Sequence, residues 1–297
     1  ITFLRFIGKG KYSKVYKCLC HNNQQIYAMK IFKKSEIVDK DNLFNESDIQ
    51  SQLLNPFCAQ SIATFDDKEH IYILQELLGQ TIFKFFKKYH LNSRLHTNPE
   101  KHSHLSTPEL SIKFYAECIL QGLEYMHNQG IMYRDLKPDN ILMNNAGYPK
   151  FCDFGFCVSF LQKPVHHTIC GTIGFMAPEI LERCGYERFV DFWSFGAFVY
   201  FLFTKKSPYQ RHRKSSAQEA YTAMNNRSYH IQCPSYIPTK AVDIINQLLE
   251  PDYKNRLGYH HDVIESFKMI KNHPWFEDIN WDKLDRCEYL AINACDS

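Results

Sequence analysis

Arg134, Asp135, Lys137, Asp139 and Asn140 crowd into one short segment, IMYRDLKPDN, residues 131–140. An apolar run ending YMHNQG precedes it and ILMNN follows. A solubilising surface loop could carry such residues; a catalytic loop would carry them for chemistry. A second short segment, FCDFGF, places Asp153 just after an apolar stretch. Asp153 and Asn140 offer hard oxygen donors, suited to Mg²⁺ held jointly with phosphates. Asp135 can orient an attacking hydroxyl and accept its proton. Lys137 can neutralise a phosphoryl group in flight. Each residue alone has an ordinary structural explanation. Together, and in this order, they meet the needs of in-line phosphoryl transfer, which are positioning and charge neutralisation.

That chemistry needs a phosphate cradle upstream. IGKGKYSKV, from Ile7 to Val15, holds Gly8 and Gly10, where backbone N–H groups can approach phosphate closely. The pattern is G-x-G-x-x-S, with Ser13 where a third glycine would complete it, and a plain hairpin turn explains it equally well in isolation. Lys30 follows in YAMK. A lysine on the inner face of a strand is costly to bury without an anion. Glu46 on the following helix is the natural partner; the alternative is a surface lysine at a strand end. Ala28, on the same face, is small and apolar, as a flat ligand requires.

Several elements must position these groups. KVYKCLC and QQIYAMKIF, separated by HNN, read as a hairpin in which Ile26, Ala28 and Lys30 share a face at period two. DNLFNESDIQSQLLN, residues 41–55, reads as a helix stopped by Pro56, and HIYILQELL returns to strand. From Thr81 onward helical spacing dominates. Ser106–Thr107–Pro108–Glu109 is a helix start, and Ile112, Ala116, Ile119, Leu120, Leu123 and Met126 recur at helical spacing before a stop at Gly130. Tyr89 to Ser106 is polar, His-rich and unpatterned, and is expected to be a surface insertion. A small β-rich lobe followed by a larger α-rich lobe emerges, with no internal repeat.

Composition narrows the class. With 44% hydrophobic and 23% charged residues, the chain is globular rather than disordered. A formal charge of +3 is too small to argue for nucleic acid or an anionic membrane. The 11 cysteines are scattered without paired C-x-x-C motifs, so free thiols in a reducing, cytoplasmic setting are expected rather than zinc. No signal peptide is visible, and the longest apolar run, Phe192 to Phe203, is too short to span a bilayer. A start at Ile1 without an initiator Met suggests a piece of a longer protein.

The ordered motifs carry a resemblance to eukaryotic protein kinases: the Gly-rich loop at Gly8, YAMK at Lys30, YRDLKPDN at Asp135, DFG at Asp153, APE at 177–179, DFWSFG at Asp191, and NRLG with Arg256. YRD with Tyr133, DFGF with Phe156, GYPK, TICGT and HPWFEDINWDKL resemble the AGC group, most closely cGMP-dependent protein kinase, with much shared by cAMP-dependent kinases. The resemblance implies an α+β bilobal fold, with a kinase domain over 1–276 (small lobe 1–78, large lobe 79–276) and the start of an AGC-type extension over 277–297. It implies ATP and Mg²⁺ as cofactors and protein or peptide hydroxyls as acceptors. Ile7, Val15, Ala28 and Leu142 would line an adenine slot reached through Gly8, Gly10 and Ser13. Glu76 and Leu78 would form the hinge, and Gln75 would sit behind the adenine, where relatives usually carry an apolar residue. Lys30 and Glu46 would pair, Asp135 would be the base, Lys137 and Thr172 would favour Ser/Thr acceptors, and Asn140 and Asp153 would be the metal ligands. Thr168 would take an activating phosphate from an upstream kinase and pair it with Arg134. A cyclic-nucleotide-binding region would precede Ile1.

Departures from the family pattern matter. A second base usually follows DFGF where this chain has Val158; Lys163, His166 or His167 are the candidates to compensate. Of the acids that read basic substrates, Asp139 is present, but Thr81, Gly174 and Phe201 stand at the other positions, implying weak preference for basic substrates. Rival readings are a nucleotide-binding pseudokinase, a cAMP-dependent-type kinase and a kinase-like enzyme acting on small molecules. A buried, inert thiol is expected at Cys152.

Overall fold

The computed structural model describes residues 1–10, 13–36, 40–93, 108–182, 184–209, 219, 221–222, 224 and 231–288. Five strands form one antiparallel sheet: β1 (Thr2–Lys9), β2 (Ser13–Cys20), β3 (Gln25–Lys33), β4 (Ser61–Asp66) and β5 (His70–Glu76), in the order β1-β2-β3-β5-β4. The expected hairpin is β2–β3, and Gln24, in the left-handed region at φ 56°, completes its turn. The register sets Val15 opposite Lys30 and Lys17 opposite Ala28. On the other side of β3, Ala28 faces Gln75 and Tyr27 faces Glu76. Ala28 and Lys30 are buried, whereas Ile26 at the strand entrance is exposed.

Helix α1 (Lys40–Gln52) packs against β4. It ends short of the expected Asn55. The chain leaves the helix at Leu53 and Leu54, whose N–H groups turn back to the Gln50 and Gln52 carbonyls, and Leu54 N–H also reaches the Tyr125 hydroxyl. Pro56 therefore bounds the helix without setting its last residue.

The larger lobe is built on α2 (Ile82–Ser93), α3 (Pro108–Asn128), α4 (Pro178–Glu182), α5 (Val190–Thr204), α6 (Thr239–Leu248), α7 (Val263–Lys271) and α8 (Trp281–Asp285). Tyr89 to Ser93, expected as the beginning of an unpatterned insertion, instead continue α2, since extending an established helix costs little. The rest of that insertion, with Ser106 and Thr107 of the expected cap, lies outside the described residues. Gly130 closes α3 at φ 72°, as its position predicts. Every residue of α5 from Val190 to Phe203 is buried, the outcome for a helix apolar all round.

One apolar core joins α3, α5, α6 and α7 and extends to Ile49 of α1 and to Leu53 just past its end. The small ribbons β6–β9 (Ile131–Met132 with Val158–Ser159) and β7–β8 (Ile141–Met143 with Pro149–Phe151) bracket the IMYRDLKPDN segment. The architecture is α+β, a β-sheet lobe on a helical lobe. Among the described residues no helix is long and apolar enough to cross a membrane.

Candidate active site

Lys30, at 9% exposure, donates from Nζ to Glu46 Oε1 at 2.7 Å and to Asp153 Oδ1 at 2.8 Å. The lysine expected to need an anion has two, from α1 and from the DFG segment. Burial penalises its cation, but Asp153 and Glu46 outweigh that cost and hold its pKa above the ordinary lysine value. Lys30 in turn holds the more exposed Asp153 below the usual carboxylate range, while burial pulls Glu46 upward. Asp153 lies at φ 63°, a strained setting for a residue with a side chain, at the point where the chain turns its carboxylate toward Lys30.

The second cluster centres on Asp135. Its Oδ2 accepts from Lys137 Nζ at 2.6 Å and Asn140 Nδ2 at 2.7 Å, and its Oδ1 accepts from Thr172 Oγ1 at 3.1 Å. Lys137 Nζ also donates to Thr172 Oγ1 at 2.9 Å. Burial raises the Asp135 pKa, opposed by the Lys137 cation and by these hydrogen bonds. A buried carboxylate facing a hydroxyl and a cation is equipped to take a proton and to stabilise nearby negative charge.

Asp191, fully buried, fastens this loop from below. It accepts from Tyr133 N–H at 2.9 Å, from Arg134 N–H at 2.8 Å and from His127 Nε2 at 2.8 Å. Arg134 can therefore hold φ 68° with its backbone tied on one side and its guanidinium on the other. Sequence reasoning marked Asp191 only as part of a motif; its anchoring role crosses more than fifty positions and has no local signal.

Ile7 is exposed, Val15 and Leu142 are half-buried and Ala28 is buried. Gly8 faces Val15 across β1–β2. Gly10 N–H donates to the Ser13 carbonyl at 2.8 Å, and a Cβ at Gly10 would meet the Ser13 Oγ at 2.6 Å, so a side chain there would displace the Ser13 hydroxyl. Gln75 is turned toward α1, its Oε1 accepting from Gln50 Nε2 at 3.3 Å. Glu76 Oε1 accepts from Lys150 Nζ at 2.6 Å and Gln60 N–H at 2.7 Å, an ion pair that sequence spacing did not suggest. Past Leu78, Gly79 N–H donates to the Met143 carbonyl at 2.7 Å and joins the crossing segment to β7.

Thr168 is exposed. Arg134, at 7% exposure, points its guanidinium to the Phe156 carbonyl (Nε, 2.6 Å) and the Tyr186 hydroxyl (Nη1, 2.9 Å). Val158 sits in β9. Of the three candidates to supply a second base, His166 is buried, and burial together with Arg134 lowers its pKa, so it stays neutral; Lys163 and His167 are exposed. Asp139 is exposed, Gly174 is buried, and Thr81 caps α2 by accepting from Lys84 N–H at 3.2 Å. Phe201 is buried between Phe83 (stacked, 5.8 Å) and Phe175 (6.3 Å). Cys152 is half-buried rather than buried as expected, yet desolvation pushes its thiol up to about 12 and its Sγ donates to the Asn140 carbonyl.

The donor set suits a hard cation. No group of three or more His, Cys, Asp or Glu side chains among the described residues could hold a metal by itself. Asp153 and Asn140 supply two oxygens, a number that fits Mg²⁺ sharing its shell with phosphates and water.

Comparison with known proteins agrees with this geometry. The protein kinase domain family matches residues 1–276. The chain is 31% identical over 285 residues to cAMP-dependent protein kinase type 3 of Saccharomyces cerevisiae, covering 95% of this chain and 65% of that protein. It is 31% identical over 290 residues to serine/threonine-protein kinase AtPK1/AtPK6 of Arabidopsis thaliana, covering 97% and 57%. It is 32% identical over 295 residues to serine/threonine-protein kinase sgk-1 of Caenorhabditis elegans, covering 97% and 58%. The chain spans between half and two thirds of the length of these relatives. It belongs to the protein kinase domain family.

Proposed function

We propose that the chain transfers the γ-phosphoryl group of ATP to Ser and Thr hydroxyls of protein substrates, as an AGC-type kinase. The observation that carries this reading is the Asp135 cluster, a buried carboxylate bonded to Lys137, Asn140 and Thr172. In this reading Asp135 orients the acceptor hydroxyl and takes its proton. Thr172 and Lys137 hold the carboxylate, and Lys137 offsets charge on the moving phosphoryl group. Lys30, held by Glu46, meets the α- and β-phosphates. The Gly8–Ser13 turn covers the phosphates, and Ile7, Val15, Ala28, Leu78 and Leu142 enclose the base, with Gln75 narrowing its rear wall. Asn140 and Asp153 are the Mg²⁺ ligands; Mg²⁺, when bound, neutralises charge on the phosphate oxygens. The motif features set out above favour a cGMP-dependent-like assignment, with the cAMP-dependent type as the alternative. A cyclic-nucleotide-binding region elsewhere in the protein and an upstream kinase acting at Thr168 belong to the same reading.

Substrate choice follows from Phe201, buried between Phe83 and Phe175. Relatives place an acid where Phe201 stands, so preference for basic residues near the target is weak. The test is transfer of labelled γ-phosphate to peptide arrays, with phosphoamino-acid analysis of the products. Label on Ser and Thr with less than about tenfold dependence on Arg supports the reading, tenfold being the worth of one ordinary charged contact. Label on Tyr overturns the acceptor assignment, and a strong Arg requirement overturns the substrate argument. Nucleotide binding without transfer under any condition points to a pseudokinase.

A further inference from the structure

Helix α1, which carries Glu46, is seated on its surroundings largely by polar groups. From Glu46 to its end, α1 buries Glu46, Ser47, Ile49 and Gln50, while Asp48, Ser51 and Gln52 are exposed. Of the buried side chains only Ile49 is apolar, so directed hydrogen bonds align this end of the helix together with packing. Glu46 reaches Lys30 of β3 at 2.7 Å. The Ser47 hydroxyl shares a hydrogen bond with the Thr64 hydroxyl of β4 at 2.6 Å. Gln50 follows Glu46 by one helical turn, on the same face. Its Nε2 donates to the Ala59 carbonyl at 3.0 Å and to Gln75 Oε1 at 3.3 Å.

Gln50 is thus a junction. Gln75 stands on β5, opposite Ala28 of β3. Ala59 donates its N–H to the Phe151 carbonyl at 2.8 Å, and Phe151 N–H donates to the Phe57 carbonyl at 2.7 Å. Phe151 is the last residue of β8, just ahead of Cys152 and Asp153. One amide therefore ties α1 both to the strand that would back the adenine slot and to the segment paired with the strand leading to Asp153. Glu46 and Asp153 are the two anions on Lys30. Gln50 is 3% exposed, so an apolar side chain at 75 would leave one of its N–H groups without that acceptor in a packed site. We propose that Gln50, held by Gln75, is a positioning residue that seats α1 and so sets Glu46 against Lys30. The inference rests on the phosphotransfer reading above. Gln50 acts through Glu46 and touches no reacting atom.

The experiment is a double-mutant cycle of Gln50→Met, Gln75→Met and the double variant. Methionine keeps the unbranched length of glutamine and removes the amide. Gln75→Met should lower kcat/KM for ATP about fivefold or more in the parent, the order of one buried hydrogen bond. Any direct effect of residue 75 on the nucleotide is the same in both backgrounds and cancels in the cycle. The loss in the Gln50→Met background should be smaller by about threefold or more, and a smaller coupling than that overturns the link. Gln50→Met alone should lower kcat/KM for ATP while leaving the Kd of adenosine, which offers Lys30 no phosphate, nearly unchanged. Equal weakening of both would mark a general loosening of the lobe and overturn the positioning role. Hydrogen exchange across residues 46–52 needs no transfer: faster exchange in each single variant supports the seat, and unchanged exchange refutes it. Absence of transfer by the parent would overturn the phosphotransfer reading separately, with exchange still deciding how α1 is held.

Discussion

At the scale of single residues, two buried acids are set to opposite uses. Asp135 is raised by burial and held back by Lys137. If Asp135 is the base, kcat should fall as pH drops through a value above the ordinary carboxylate range. Lys137→Ala should move that limb higher still, because the carboxylate loses the cation that favours its charged form. A pH profile in which the limb stays fixed or moves lower would contradict this. Glu117 on α3 is buried, and desolvation lifts its pKa to about 7 against the pull of Lys113. The folded state keeps a proton that the unfolded state releases near pH 4.5, so stability falls as pH rises from there to about 7 and then levels. Glu117→Gln should therefore stabilise the protein at pH 8 by about 1–3 kcal/mol and have little effect at pH 4.5, read from urea midpoints. Equal effects at both pH values would refute the assignment.

At the scale of elements, glycine and buried ion pairs mark where packing leaves no slack. Gly196 of α5 lies against α6, and a Cβ there would meet Leu248 Cβ at 2.7 Å. Gly196→Ala should lower stability by about 1–3 kcal/mol despite alanine's better helix propensity, and a raised melting temperature would contradict the close packing. Arg256 forms a fork on Glu179, with Nη1 to Oε1 at 2.6 Å and Nη2 to Oε2 at 3.0 Å. Removing the acid strands a buried cation, so Glu179→Ala should cost about 3–5 kcal/mol in denaturant unfolding. A cost below about 1 kcal/mol would show that the Arg256 bonds to the Phe189 and Glu250 carbonyls suffice alone. The elements themselves were legible where pattern was strong. The β2–β3 hairpin, the apolar stripe of α3 and the all-round apolar α5 follow from periodicity and flanking breakers. The end of α1 and the run of α2 into Tyr89–Ser93 were not, because helix ends depend on capping bonds such as Leu54 to Tyr125 that join distant parts of the chain. The Lys30–Glu46 pair was readable because a buried lysine demands an anion. That Asp153 shares this lysine, that Asp191 anchors Tyr133 and Arg134, and that Gln50 ties α1 to Gln75 are long-range facts with no signature in local spacing.

At the scale of the whole molecule, one lysine couples the lobes. Lys30 stands in the sheet, Glu46 on α1 and Asp153 in the segment leaving β8, so its pair with Glu46 ties the sheet to α1 and its pair with Asp153 joins the β-rich lobe to the helical one. Asp135, Lys137 and Asn140 lie in the loop between β6 and β7, with Asn140 bonded to Asp135 and Asp153 bonded to Lys30. The central claim is that this arrangement moves a phosphoryl group, with Asp135 as the acceptor of the proton. The most direct measurement is Mg²⁺-dependent transfer of labelled γ-phosphate from ATP to a Ser/Thr acceptor protein by the parent chain and by Asp135→Ala, with ATP binding followed in both. The account predicts transfer by the parent, a loss of at least about a hundredfold in kcat for Asp135→Ala, and nearly equal ATP binding. Equal transfer by the two proteins, or none by a parent chain that binds ATP and Mg²⁺, would contradict it.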